Sequence, residues 1–557
     1  MTEETRTPTQ IDKIADAWVD TLARLEPTLA TYIGRSEFND RFGDYSPAGQ
    51  EALIAEGRKT LAELSSAAPV DDIDAVTKED LAREIGLGIE LHEAQWHYRD
   101  LNVIASHAQD IRSVFDLMPT ATPDDWSVIA TRLGAVPGAI EGYVETLREG
   151  IARGVVPARR QVVEVVTQIA RYTEDGGFFA TFAAEAAPEE GQLPASLARD
   201  VADSANSARV AYDALAKFLT TELAPAAGDH DAVGRELYAL HSRRFLGATI
   251  DLDETYEWGV EELARMVAEQ EAIAHEIKPG ASVEEAVAFL EQDPSRKLHG
   301  TEALQKWMQE TSDRAVAELA RTHFDIPEPI RRLECMIAPT REGGIYYTGP
   351  TDDFSRPGRM WWSVPDGVED FDTWRELTTV YHEGVPGHHL QIAQAVYNRA
   401  QLNSYRRLLG GTSGHAEGWA LYAERLMEKL GYLDDPADRL GMLDGQRMRA
   451  ARVVLDIGVH LGKERPDGQG TWDADFALEF MRHNVNMSDE FVKFEVNRYL
   501  GWPGQAPSYK VGQRIWEQLR DEVAEREGDA FSIKQFHKRA LDIGGVGLDT
   551  LRTALSR

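Results

Sequence analysis

The sequence predicts a mainly α-helical protein, one large body arranged in two lobes. Three observations predict it. Apolar residues recur at steps of three and four over long stretches, helix-start signatures precede several of those stretches, and loop-forming clusters are few. Taken in order, Ile11, Ile14, Trp18, Leu22, Leu25 and Leu29 form the first amphipathic run, which Pro27 kinks or ends. Residues 81–103 read as a second long helix. Thr122-Pro123-Asp124-Asp125 starts another, with proline in the first turn and acids that complement the helix dipole. Residues 253–277 and 301–323 read as helices. Between them, Ser282-Val283-Glu284-Glu285 is a capping box ahead of Ala286-Val287-Ala288-Phe289-Leu290. Residues 186–195 and 224–231 are loops. The exception to the helical pattern is residues 333–338, 344–348 and 360–364, which are rich in apolar and aromatic residues and predict a small sheet.

Charge and cysteine content exclude several functions. The chain of 557 residues carries 59 Lys+Arg against 94 Asp+Glu, a net −35. Such a chain repels phosphate backbones and anionic bilayers, and its basic runs are short pairs such as Arg159-Arg160 and Arg406-Arg407. Nucleic acid and membrane are therefore not expected partners; the oligomeric state is left open. A single cysteine, Cys335, excludes an intramolecular disulfide framework and any multi-cysteine metal site. Residues 1–6 lack the basic and apolar blocks of a signal peptide, so a cytoplasmic location is expected.

The chemistry is concentrated in Tyr381-His382-Glu383-Gly384-Val385-Pro386-Gly387-His388-His389-Leu390-Gln391, at the end of a helical segment that starts near Asp372. A regular H-E-x-x-H helix puts two histidines on one face, with the glutamate beside a metal-bound water. Here the second histidine comes six or seven residues after His382. In an unbroken helix those pairs would lie about 9 or 10.5 Å apart along the axis. That is too far for one zinc with bonds of about 2.0–2.1 Å. The helix must break, and Gly384-Val385-Pro386-Gly387 can break it, because proline lacks an N–H and pushes Val385 out of the α region. A two-residue bulge restores the pattern at His388; a three-residue bulge restores it at His389. The smaller bulge favours His388, with His389 as the alternative ligand.

A third ligand is available in His415-Ala416-Glu417-Gly418-Trp419-Ala420. One group of zinc peptidases takes its third ligand from a glutamate on a later helix, and Glu417-Gly418-Trp419-Ala420 is similar to the Asn-Glu-Gly-Phe-Ala ligand segment of zinc aminopeptidases. Glu424 lies two turns further along the same face, placed to accept a hydrogen bond from a ligand histidine. Downstream, Tyr509 is a candidate donor to a developing oxyanion. Arg498 and Lys510 are candidates to hold a substrate carboxylate. Arg452, Asp456 and His460 lie on nearly one helix face. They read either as an ion-pair ladder or as a transition-state donor, His460, oriented by Asp456. Tyr346 and Tyr347, in the strand-like stretch, are candidates to pair with an extended substrate.

These blocks, together with Arg498-Tyr499, Pro503-Gly504-Gln505-Ala506 and Ser508-Tyr509-Lys510, resemble the bacterial domain-of-unknown-function 885 family. The resemblance implies one family domain over residues 1–557, with a helical N-terminal lobe at 1–325 and a metal-site region at 326–557. It also implies a fold distantly similar to the carboxypeptidase Taq, thimet-oligopeptidase and angiotensin-converting-enzyme peptidases, whose zinc lies in a deep channel between helical lobes. The reading that combines motif and resemblance is a hydrolase of short peptides or related amides. It holds one Zn²⁺ on His382, His388 and Glu417, with Glu383 as general base. Two alternatives use the same residues: a non-haem Fe(II) enzyme, and a non-enzymatic binding protein with a vestigial metal site.

Overall fold

A computed structural model describes residues 6–338, 344–365 and 367–557. Helices dominate it, and their ends follow local rules. Thr9 caps the first helix, Gln10–Leu25, and Pro27 opens a separate short helix, Pro27–Tyr32. Thr122 with Asp125 and Ser282 with Glu285 form the expected capping boxes, before helices Pro123–Arg153 and Val283–Leu290. The helix expected over residues 81–103 is displaced. It starts at Asp72, where Asp71 caps it, and ends at Glu93, because Gln95 takes the left-handed conformation at φ 62°. The loop expected from residue 224 begins only after Ala226, since a π-helical turn, Leu219–Leu223, carries the preceding helix through.

The expected sheet forms from Leu333–Ile337, Ile345–Thr348 and Gly358–Trp362. Gly358–Trp362 is central, parallel to Leu333–Ile337 with Leu333 opposite Gly358, and antiparallel to Ile345–Thr348 with Ile345 opposite Trp362. Strand Ile345–Thr348 therefore lies at an edge. A second sheet that the sequence did not announce pairs Lys297–His299 with Asp370–Asp372, immediately before the helix that carries His382.

Two large hydrophobic cores organise the helices. One joins Pro123–Arg153, Arg159–Thr173 and Ala195–Phe218. The other joins Leu252–Ile277 and Thr301–Thr322 to the helices that follow residue 373. In packing terms, then, the run from 252 to 322 goes with the metal-motif region. The long helix Pro436–Leu461 is central to this second core. Gly259 lets Leu252–Ile277 approach it, since a Cβ there would stand 2.8 Å from Val453. Gly441 does the same for Thr373–Glu383, against the carbonyl of Trp374. Trp374, Trp419 and Trp516 are fully buried within this core. Emptying one such site by truncation to alanine costs about 3–5 kcal/mol.

Candidate metal centre

Helix Thr373–Glu383 buries Trp374, Leu377, Thr378, Val380, Tyr381, His382 and Glu383, so its polar motif residues face the interior. It stops at Gly384, and a new helix begins at His388. The Val385–Pro386 peptide between them is cis. The chain folds back over the end of the first helix: Gly387 N–H donates to the Tyr381 carbonyl and His389 N–H to the Gly384 carbonyl. Only glycine fits at 387, where a Cβ would lie 1.9 Å from the His382 carbonyl oxygen. Trp419 fastens the break, its indole N–H shared between the carbonyls of Pro386, at 2.9 Å, and Gly387, at 3.2 Å. The result brings the rings of His382 and His388 to 4.8 Å between centroids, nearly perpendicular.

Glu417 arrives from helix Ser413–Lys429. This helix crosses Ser508–Glu527 backbone to backbone at Gly414, Gly418 and Gly512; a Cβ on Gly418 would lie 2.4 Å from Gly512. The crossing sets Tyr509, one turn before Gly512, within electrostatic reach of the Glu417 carboxylate. Glu417 Oε2 lies 3.3 Å from His382 Nε2 and 3.5 Å from His388 Nε2. Two ligand atoms at about 2.0–2.1 Å from one tetrahedral ion are about 3.3–3.4 Å apart, so these spacings fit such an ion. Glu417 Oε2 and His388 Nδ1 are buried and have no hydrogen-bond partner among the described residues. Buried polar atoms are ordinarily satisfied, so an orphaned carboxylate oxygen facing two imidazoles fits a cation.

Glu383 also contributes here. Its carboxylate and the ring nitrogens of His382 and His388 all lie within 4.8 Å of one another, a group that could itself hold a metal ion. Two carboxylates thus face the same pair of histidines, and Glu417 has both imidazoles at the shorter spacing. Burial raises the pKa of the Glu383 carboxyl, while His388 and His382 pull it down. Burial acts the same way on Glu417, but His388 and His382 outweigh it and hold that carboxyl well below the usual range. The environment separates the two acids into one that stays charged and one suited to take up a proton. At His382, burial opposes the imidazolium, but Glu417 and Glu424 outweigh it and push the pKa up to about 10. A metal ion held there would displace that proton. Glu424 Oε1 accepts from His382 Nδ1 at 2.7 Å, and its Oε2 accepts from the Thr378 hydroxyl at 2.9 Å. This leaves His382 Nε2 directed at Glu417. Thr378 was missed in the sequence, although it lies one turn before His382 on the same helix face.

The remaining candidates separate. His389 is 1% exposed, and both ring nitrogens are engaged. Nε2–H donates to the Ile330 carbonyl at 2.7 Å, and Nδ1 accepts from the Tyr347 hydroxyl at 2.9 Å. The alternative ligand is thus corrected: His389 faces the sheet, not the centre. The Tyr347 hydroxyl is committed to it, while the strand backbone that the pairing role needs stays at the sheet edge, and Gly358 leaves room for the pair, since a Cβ there would lie 2.1 Å from the tyrosine oxygen. Tyr346 is 41% exposed and stacks on Trp361. His460 is buried, donates Nε2–H to the Tyr499 carbonyl at 3.1 Å and stacks on Tyr238. Asp456 Oδ2 accepts from the Tyr238 hydroxyl and the Gly504 N–H; its Oδ1 is 3.8 Å from His460. Burial pushes the Asp456 carboxyl up to about 7 and the His460 imidazole down to about 4. This pair is part of the core, so His460 is not an oxyanion donor. Lys510 is buried on Gln446, Gln513 and Glu262, which corrects its substrate role. Arg498 spans Glu495 and Gln505. Tyr509 is partly exposed, with no hydrogen bond to its hydroxyl among the described residues, and the guanidiniums of Arg452 and Arg449 lie 5.2 and 5.8 Å from its ring centre.

Comparison with solved structures supports the fold. A protein of Colwellia psychrerythraea described as a "putative lipoprotein" matches at TM-score 0.86 and 23% identity, over 98% of both chains. Another, from Shewanella oneidensis and described as a "putative lipoprotein of unknown function", matches at 0.76 and 17%, over 98% of this chain and 100% of that one. A Pyrococcus furiosus carboxypeptidase aligns over 100% and 97% of the chains at 12% identity, but its TM-score of 0.44 is too low to bear on mechanism. No curated protein matches the sequence. Among the described residues no helix is long and apolar enough to cross a membrane, and the cytoplasmic expectation finds no support in neighbours described as lipoproteins. The family described as "Bacterial protein of unknown function (DUF885)" matches residues 27–555, and the chain belongs to that family.

Proposed function

We propose that the protein is a zinc-dependent hydrolase of short peptides. The observation that carries this reading is the placement of Glu417 Oε2 at 3.3 and 3.5 Å from two imidazole nitrogens, with a second carboxylate, Glu383, beside them. His382, His388 and Glu417 would hold the ion and leave a fourth position open. When bound, zinc supplies a water whose pKa is lowered to about 7 and polarises the scissile carbonyl. Glu383 takes the proton that water loses on attack and returns it to the leaving amine. The Tyr509 hydroxyl, which has no hydrogen-bond partner among the described residues, donates to the negative charge that develops on the carbonyl oxygen. Glu424 fixes the tautomer and direction of His382. The strand Ile345–Thr348, with no strand on its outer side among the described residues, offers its backbone to an extended peptide. Tyr347 ties that strand to His389, the residue next to His388. Glu383 also favours hydrolysis over Fe(II) oxygen chemistry, which needs no adjacent base.

The test is metal analysis of protein purified without added metal, together with digestion of a short-peptide library at saturating zinc. One zinc per chain and cleavage of library members are expected. Stoichiometric iron with little zinc, or no cleavage of any member, would overturn the reading.

A further inference from the structure

We propose that Arg449, seconded by Arg452, selects substrates that carry a carboxylate beside the scissile bond; the inference rests on the peptidase reading above. It starts from a local excess of positive charge. Arg452 is buried and donates to the Tyr499 hydroxyl at 2.7 Å and to Glu495 Oε2 at 2.8 Å. Glu495 also takes Arg498, at 2.9 Å. One buried carboxylate therefore serves two guanidiniums. Arg449 stands one turn before Arg452 on helix Pro436–Leu461 and adds a third. Among the described residues its Nη1 reaches only the Gly445 carbonyl, at 3.4 Å, and the Met448 sulfur, at 3.9 Å, and its Nε is buried without a hydrogen-bond partner. Among the described residues it has no ion pair, in a chain whose acids outnumber its bases by 94 to 59.

That excess stands next to the proposed chemistry. The guanidiniums of Arg449 and Arg452 both lie over the ring of Tyr509, and Tyr509 is within electrostatic reach of Glu417. A peptide whose scissile carbonyl meets the Tyr509 hydroxyl brings the groups beside that carbonyl close to Arg449. A guanidinium fork with no ion pair among the described residues, Asp444 acting on it only at longer range, is matched to a carboxylate, which it binds by two parallel hydrogen bonds. The carboxylate has two sources, the free C-terminus of a short peptide or an Asp or Glu side chain next to the cleaved bond.

The experiment measures kcat/KM on matched short peptides with zinc-loaded protein. One arm compares a free C-terminal acid with its amide; the other compares Asp or Glu beside the bond with Asn or Gln. Wild type is expected to prefer the carboxylate form at least tenfold in one arm, and that arm names the source. In Arg449→Gln the ratio should fall toward one while zinc content stays the same, and Arg449→Lys should restore part of it. Equal cleavage in both arms overturns the proposal. If no peptide is cleaved, the peptidase reading fails and binding decides the inference. Calorimetric titration with the free-acid peptides should then show tighter binding than with their amides or Asn/Gln forms, weakened about tenfold in Arg449→Gln. Equal binding by both proteins overturns it.

Discussion

The centre of His382, His388 and Glu417 and the buried cluster of Tyr238, Asp456 and His460 are made of similar side chains, and they differ in what those side chains are tied to. Asp456 is anchored by a tyrosine hydroxyl and a backbone N–H, and His460 by a backbone carbonyl. Each keeps one atom without a partner, Oδ1 and Nδ1, but each also has a firm bond to the fold. Among the described residues the Glu417 and His388 side chains have none: their close polar contacts run from Glu417 to the two imidazoles. Polar groups bonded to the fold help fix one packing, whereas convergent groups without such bonds suit a ligand. The same contrast divides adjacent residues, since His388 faces Glu417 while His389 is saturated by Ile330 and Tyr347.

The largest effect expected at the first region comes from Glu383→Gln. Loss of a general base removes about 10²–10⁴ of rate. Zinc content should be unchanged, because the amide keeps the shape and His382, His388 and Glu417 are intact. Peptide turnover together with metal analysis reads both, and a fully active variant would end the proposed mechanism. Lys510→Met is the counterpart in the packed interior. Lys510 holds Gln446, Gln513 and Glu262, so its loss should cost about 3 kcal/mol, softened because Arg265 still pairs with Glu262. Denaturant midpoints read the loss. If stability held while substrate KM rose, Lys510 would return to the substrate role.

How far the sequence shows this contrast depends on what each signal encodes. Helices such as Pro123–Arg153 and Val283–Leu290 are legible because their starting signatures are local. The broken helix was legible too, since histidines six positions apart cannot reach one ion unless Gly384-Val385-Pro386-Gly387 interrupts the ladder. Other features depend on distant partners. The strands Lys297–His299 and Asp370–Asp372 have three residues each and meet across some seventy positions, too short for an alternating pattern. The spacing of Arg452, Asp456 and His460 shows that they share a helix face, but not that the face meets Tyr238, Tyr499 and Gly504. The choice between His388 and His389 turns on where the second helix starts, because adjacent helical residues point about 100° apart.

A smaller change tests whether the first region is oriented by its support. In Glu424→Gln the carboxylate that accepts from His382 Nδ1 becomes a neutral amide, still able to meet Thr378. Loss of such support typically weakens metal affinity 10–100-fold. Competition with a zinc chelator measures it. An unchanged affinity would make Glu424 a packing residue and narrow the contrast with the Asp456 cluster.

The smallest effect tests the saturated neighbour. Tyr347→Phe removes the hydroxyl that donates to His389 Nδ1 and leaves that nitrogen buried without a partner. The cost should be about 1–3 kcal/mol of stability, the price of an unsatisfied buried acceptor. Zinc affinity should stay within twofold, because His389 Nε2 still donates to Ile330 and the ring has no reason to turn toward His382. Thermal unfolding with and without chelator separates the two quantities: the loss should be the same in both. A loss seen only with zinc bound would mean that His389 contributes to the centre after all. Adjacent residues 388 and 389 would then no longer divide binding from packing.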